Sequence, residues 1–210
     1  MVQRVFFLIP MAMIALRAAP AATSLPIVEY VEGSVKIDGK DADFGQILPK
    51  TATVVTGPSA YCDIVFGGRN AFRVGQNSIV KLDFRKTKPE IGLVKGGITS
   101  VLRKLEKIAG KDSFVVRTQS AIAAVRGTSF CVWADESSTY VCACNGAVRT
   151  LDAKGRNAQT LESSHHVARL YQAKGKAFTV EAAGMLHHDD ALVESVAARI
   201  GEGVDWSTRE

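Results

Sequence analysis

Turn residues come too often along this chain to leave room for long helices. From Ile27 to Leu151 the sequence is a series of short Val-, Ile- and Phe-rich runs, cut every eight to twelve residues or so by Gly, Asn, Asp or Pro. Thr53–Thr56 runs into Gly57-Pro58, Tyr61–Phe66 into Gly67-Gly68, and Phe114–Thr118 stands as a further strand. Such runs are too short for amphipathic helices and have the length and β-branched content of strands. The expected fold is mainly β: stacked short strands, solenoid- or sandwich-like.

A repeat reinforces this. Val31-Glu32-Gly33-Ser34-Val35 returns as Val94-Lys95-Gly96-Gly97-Ile98 and, more loosely, as Cys144-Asn145-Gly146-Ala147-Val148. Thr56-Gly57-Pro58-Ser59-Ala60 begins 23 residues after the first glycine of this set, and Thr118-Gln119-Ser120-Ala121 begins 22 after the second. Duplicated strand-turn-strand units of this kind bury their apolar faces on one another. After Leu151 the pattern loosens: Asp152–Asn157 reads as a polar turn, and strands continue patchily to Val180. Residues 151–210 are read as an extension ending in one short helix near 190–200. Asp189 or Asp190 would cap it, Leu192, Val196 and Ile200 would form its apolar face, and Gly201 and Gly203 would stop it.

The N-terminus has the layout of a secretory signal peptide: Arg4, an apolar stretch from Val5 to Leu16, then small residues, with cleavage expected after Ala21. The apolar stretch is short of the ~20 residues a transmembrane helix needs, so the mature chain is expected to lack one. The formal charge of +5 falls to +3 without Arg4 and Arg17. So modest a balance does not point to nucleic acid. The cluster Arg103, Lys104, Lys107, Lys111 reads as a solvated face.

The segment Thr118-Gln119-Ser120-Ala121-Ile122-Ala123-Ala124-Val125-Arg126-Gly127-Thr128-Ser129-Phe130 resembles the signature of the FecR domain family. Gly33-Ser34-Val35, Thr56-Gly57, Phe66-Gly67-Gly68 and Gly146-Ala147-Val148 agree with it, so that the resemblance spans about residues 28–150. Arg126, Gly127 and Thr128 are read as structural: Gly127 lets the backbone turn, and Arg126 offers a forked donor for strand carbonyls. The resemblance implies a periplasmic β domain, which in iron-uptake systems relays the state of an outer-membrane receptor to a sigma factor. Members that do so carry a cytoplasmic segment and a membrane helix ahead of the domain. The signal-like start of this chain leads instead to the expectation of an exported interaction domain alone, with a protein partner in the periplasm or outer membrane.

The four Cys lie in the β region, at 62, 131, 142 and 144, and the four His follow it as His165-His166 and His187-His188. On a strand Cys142 and Cys144 share the face opposite Val141 and Ala143. With the aliphatic side inward, both thiols are expected to point outward, which suits buried apolar cysteines poorly. Two parallel thiols at i and i+2 are badly placed for a mutual disulfide, but they can chelate zinc or copper(I) with imidazole completing the set. The expected site is Cys142, Cys144, one of His165 and His166, and His188. Asp190 is expected to accept the second ring N–H of His188. Strand neighbours point to opposite faces, so only one of His165 and His166 should reach it. Disulfides remain an alternative in an exported protein, as do plain unpaired thiols. Cys62, aligned inward with Ile64 and Phe66, and Cys131, alternating outward between Phe130 and Val132, are poorly matched for a bridge.

No Gly-x-Ser-x-Gly elbow, phosphate loop or HExxH helix occurs in the sequence. A thiol–imidazole pair could in principle serve as a nucleophile and base, but twin thiols favour chelation. A non-enzymatic binding protein is therefore expected. The alternatives are a relay module of iron-uptake signalling and a structural protein of the cell wall.

Overall fold

The computed structural model describes residues 25–85, 88–103, 114–125, 127–174 and 177–208. The fold is a sandwich of two sheets, with strands numbered in chain order. The first sheet runs β1 (Ile27–Glu32), β5 (Tyr61–Phe66), β6 (Asn70–Val74), the second half of β8 (Glu90–Leu102), β11 (Ser129–Ala134), the first half of β12 (Ser138–Asp152), β14 (Val167–Lys174) and β15 (Ala177–Ala183). The second runs β3 (Lys40–Asp41), β2 (Val35–Ile37), β4 (Thr51–Thr56), β7 (Ile79–Asp83), the first half of β8, β9 (Phe114–Arg117), β10 (Ala121–Val125), the second half of β12 and β13 (Gln159–Ser163). The pairings are antiparallel except β8 with β9. The strand-rich expectation is met, in its sandwich form. The strand β12 continues unbroken past residue 150, and β13 and β14 of the extension pair directly with it.

The repeat has a structural meaning. Its glycines stand where the chain passes from one sheet to the other: Gly33 between β1 and β2, Gly96 within β8 and Gly146 within β12, with φ of 71°, 83° and 114°. At Gly96 a Cβ would lie 2.1 Å from Ser78 Oγ and 2.5 Å from Ser78 Cα. Only glycine combines that left-handed φ with so close an approach. The repeated threonines also share a task, since Thr56 Oγ1 accepts from Ser78 N and Thr118 Oγ1 from Ala121 N, both at 2.9 Å.

Alternation along each strand sends one set of side chains between the sheets. Phe66, Phe72, Phe114 and Phe130 are buried there in mutual ring contact, with Val132, Val141 and Ala143. Each such burial contributes about 1.5–3 kcal/mol. The opposite set on the first sheet is not left to solvent. Ala71, Val101, Cys131, Tyr140, Cys142, Cys144 and Ala168 form a second apolar cluster with the helix α1 (Asp190–Ala198) laid across it.

Asp189 caps α1, its carboxylate accepting from Leu192 N at 2.8 Å. The face the helix buries is Val193, Val196 and Ala197, joined by Ile200. Leu192 is only partly covered, so the stripe runs at i, i+3, i+4 and i+7 rather than through Leu192. Ion pairs fasten the helix and tail. Asp63, fully buried, takes a forked bond from Arg73 at 2.6 and 2.7 Å and a third from Arg199 Nε at 2.8 Å. Glu202 accepts from Arg69 at 2.7 Å and Arg103 at 2.9 Å. Arg103, read from sequence as part of a solvated basic face, is thus a tail anchor. Its neighbours Lys104, Lys107 and Lys111, like the expected signal peptide, lie outside the described residues.

Candidate metal centre

Cys142 and Cys144 project from β12 into the second cluster and are fully buried. The expected separation of the two faces holds, with Val141 and Ala143 in the main core. The expectation that the thiols face solvent does not. The chain beyond β13 covers that face, and alternation cannot tell an exposed side from one that a later segment roofs. Cys131 is corrected in the same way, being 1% exposed on the covered face. Cys62 lies in the main core, on the other side of the first sheet, and this separation rules out a Cys62–Cys131 bridge. A register shift between Ser129 and Phe130 leaves Cys144 as the extra residue of a bulge, and it brings Asn145 to the tail, where its amide donates to Asp205 O and Thr208 O at 2.8 and 2.9 Å.

His165 and His166 occupy the turn between β13 and β14, not a strand. His166 has a left-handed φ of 52°, and its N–H donates to Cys144 O at 3.0 Å. That geometry turns His166 toward the sulfurs and leaves His165 half exposed at the rim. His188 arrives on the loop between β15 and α1, next to His187 with φ 64°. Tyr140 of β12 holds that loop, its hydroxyl donating to Gly184 O and accepting from Leu186 N, both at 3.1 Å. Left-handed non-glycine residues cost of order 1–3 kcal/mol each and gather where geometry matters more than stability.

Cys142, Cys144, His166 and His188 thus converge from three chain segments, their donor atoms all within 4.8 Å of one another. The separations are 3.9 Å between the sulfurs, 3.5 Å from Cys142 Sγ to His166 Nδ1, 3.4 Å from Cys144 Sγ to His188 Nε2, and 3.2 Å between those nitrogens. A tetrahedral ion with bonds of about 2.3 Å to sulfur and about 2.0–2.1 Å to nitrogen would set these edges near ~3.8, ~3.5 and ~3.3 Å. The residues present fit zinc or copper(I). They do not fit a Cys142–Cys144 disulfide, whose sulfurs would be about 2.05 Å apart.

The outer hydrogen bonds fix the ring orientations. His166 Nε2 donates to Asp190 Oδ1 at 2.7 Å, and His188 Nδ1 donates to Leu186 O at 2.7 Å. Each neutral ring has its one proton committed outward, so the lone pairs of His166 Nδ1 and His188 Nε2 face each other and the sulfurs. Two lone pairs at 3.2 Å repel one another, and either a metal ion between them or a proton on one ring relieves this. Asp190 supports His166, not His188 as expected from sequence, and also accepts from His165 Nε2 at 3.0 Å. Of the two histidines of the turn, His166 and not His165 lies with Cys142, Cys144 and His188 in the converging donor set.

The electrostatics agree. Hydrogen bonding from Cys144, reinforced by His166 and His188, overcomes burial and holds the Cys142 thiol down to about 3. Burial, then the Cys142 thiolate, pushes Cys144 up. Burial pulls His188 down, but the sulfurs of Cys131 and Cys142 outweigh it and lift the imidazole to about 10. His166 is likewise raised by Cys142 and Asp190 against burial. The hydrogen bond from His166, assisted by His165, keeps Asp190 below the usual carboxylate range. Without metal, the site stores its positive charge as an imidazolium beside a thiolate.

Sequence reasoning missed Trp206, whose ring lies 5.1 Å from His166 and 5.0 Å from His165 while its N–H donates to Glu194 at 2.8 Å. Nothing in the local sequence links a tryptophan 40 residues away to that turn. The Thr128 hydroxyl donates to Ala147 O at 2.9 Å and accepts from Ala147 N at 3.1 Å beside the Gly146 crossing. Gly127 has a left-handed φ of 59°. Arg126 lies outside the described residues.

Among known proteins, the model of the FecR protein family matches residues 52–149. No curated protein matches the chain. Two crystal structures of a "putative anti-sigma factor" from Parabacteroides distasonis ATCC 8503, at 2.50 and 1.65 Å, are similar in fold with a TM-score of 0.50 each. Both are 15% identical and match over 63% and 62% of this chain. The matched part is 60% and 59% of their own length. The family match begins within β4, ends within β12 and includes both thiols of the site, whereas His166 and His188 lie beyond it. Residues 52–149 of this chain are a FecR domain.

Proposed function

We propose that this is an exported, periplasmic interaction protein in which a zinc or copper(I) centre ties a C-terminal helix onto a FecR domain. The observation that carries the reading is the closed donor set: Cys142 and Cys144 from the domain, His166 and His188 from the segments that cover it, with separations suited to one tetrahedral ion. Four protein donors leave no open position for substrate, the mark of a structural rather than a catalytic site, so the reading is non-enzymatic. Bound, the ion supplies a cross-link between segments distant in sequence. The chain's own residues do the rest: Asp190 and Leu186 O orient the two imidazoles, Tyr140 holds the His188 loop, and Trp206 packs beside His166.

The FecR match and the fold likeness support a regulatory role through protein contact, in the periplasm or at the outer membrane. Relay in iron-uptake signalling is the second reading, and co-purification with an outer-membrane receptor or a membrane sensor tests it. For the metal, the test is elemental mass spectrometry of exported protein purified without chelator, beside the Cys142→Ser, Cys144→Ser double variant. The reading expects about one equivalent in the wild type and none in the variant. Metal-free wild type would end it.

A further inference from the structure

A third cysteine stands beside the centre without belonging to it. Cys131 of β11 and Cys142 of β12 are direct cross-strand partners in the antiparallel register, and both side chains enter the second apolar cluster. Directly opposed residues have Cα atoms about 4.5 or 5.5 Å apart, depending on which kind of pair they form. Both values fall within the ~4.4–6.8 Å range that a disulfide requires. The register alone therefore presents two thiols that can be bridged with little backbone movement. Cys144 is not placed in this way, since it shares a strand with Cys142 and occupies the bulge. Cys62 is behind the sheet.

Cys131 also borders a cleft of about 30 Å³, which it lines with Arg73, Thr99, Trp133, His187 and Leu192. The cleft has room for a water-sized molecule and thus for a small oxidant such as hydrogen peroxide. Trp133 and His187, stacked at 4.6 Å, form one wall.

We infer that Cys131 and Cys142 are an oxidation site, closing to a cross-strand disulfide under peroxide when the metal is absent and protected when it is bound. The Cys131 thiolate attacks one peroxide oxygen, the O–O bond breaks, and the departing hydroxide takes the thiol's proton to leave as water, giving a sulfenic acid. The Cys142 thiolate then attacks that sulfur, the S–O bond breaks, and the departing hydroxide takes the proton of the neighbouring imidazolium and leaves as a second water. The two sulfurs have lost two electrons, the site has given up two protons, and one peroxide has become two waters. The disulfide removes Cys142 from the donor set, so oxidation and metal occupancy exclude each other. Only the protection rests on the proposed centre; the bridge follows from the strand register.

The test treats chelator-stripped and zinc-loaded full chain with hydrogen peroxide and maps non-reduced peptides by mass spectrometry. The inference expects a Cys131–Cys142 peptide in the stripped protein, formed at least tenfold more slowly with zinc. It also expects zinc uptake by the oxidised protein to fall at least tenfold and to return on thiol reduction. Cys131→Ser should lose the linkage while still taking up zinc. A Cys142–Cys144 linkage, a Cys131 that stays reduced, or equal rates with and without bound zinc would overturn it. Should the stripped protein form the Cys131–Cys142 bond yet take up no zinc before oxidation, the oxidation site stands and the metal reading fails.

Discussion

Asp190→Asn is the perturbation that separates a built metal site from a chance meeting of ligands. The carboxylate accepts from His166 Nε2 at 2.7 Å and from His165 Nε2 at 3.0 Å, so a single charged group orients His166 of the proposed centre and the rim residue His165. The amide keeps the volume and one acceptor but drops the charge, and it can turn its NH2 toward Nε2, freeing His166 to change tautomer and withdraw its Nδ1 lone pair. Loss of such an outer partner costs about 10–100-fold in metal affinity, or about 1.4–2.8 kcal/mol. Asp190 is also the acidic residue of the helix's first turn, a further ~0.3–1 kcal/mol, but that part weakens α1 with or without metal. Competition against a chromophoric chelator reads the first quantity, and urea unfolding of the metal-free protein reads the second. His165→Ala, at the half-exposed rim, should change the affinity less than threefold. An Asp190→Asn affinity within threefold of wild type would refute the argument that the carboxylate holds His166 in its ligating tautomer.

Gly96→Ala should destabilise the protein by about 2–5 kcal/mol, the sum of left-handed strain and overpacking against Ser78. Gly39→Ala, also at positive φ but with nothing within 4 Å, should cost only about 1–2 kcal/mol; equal midpoints in urea would contradict the crossing role of Gly96. In metal-free protein the thiolate absorbance near 240 nm, taken against Cys142→Ser, should persist until the pH approaches about 3. Stability should follow the same groups. The lowered Cys142 contributes fully above its ordinary 9.0 and loses that contribution as pH falls toward about 3. The raised His188 contributes fully below 6.5 and loses it as pH rises toward about 10. Metal-free wild type should therefore gain most over Cys142→Ser between about 6.5 and 9, with the gain shrinking on either side; a flat difference would contradict the thiolate–imidazolium pair.

What the sequence discloses here is local periodicity, and what it hides is cover. Strand runs, the glycines at 33, 96 and 146, the Asp-capped helix and the common face of Cys142 and Cys144 all follow from period and turn chemistry, which act within a few residues. The roofing of that face depends on contacts such as Arg199 to Asp63, 136 residues apart, and Asn145 to Thr208 O, 63 apart, which no local pattern announces. The choice between His165 and His166 turned on one left-handed residue, and a strand was the wrong premise for it. The partner of Asp190 was misassigned because proximity in sequence favoured His188, while the helix N-terminus carries the carboxylate to the β13–β14 turn.

X-ray absorption at the metal edge of protein purified without chelator tests the central claim most directly. The account predicts a four-coordinate shell of two sulfurs at about 2.3 Å and two imidazole nitrogens at about 2.0–2.1 Å. A shell of oxygen and nitrogen alone, or no bound metal to absorb, would contradict it.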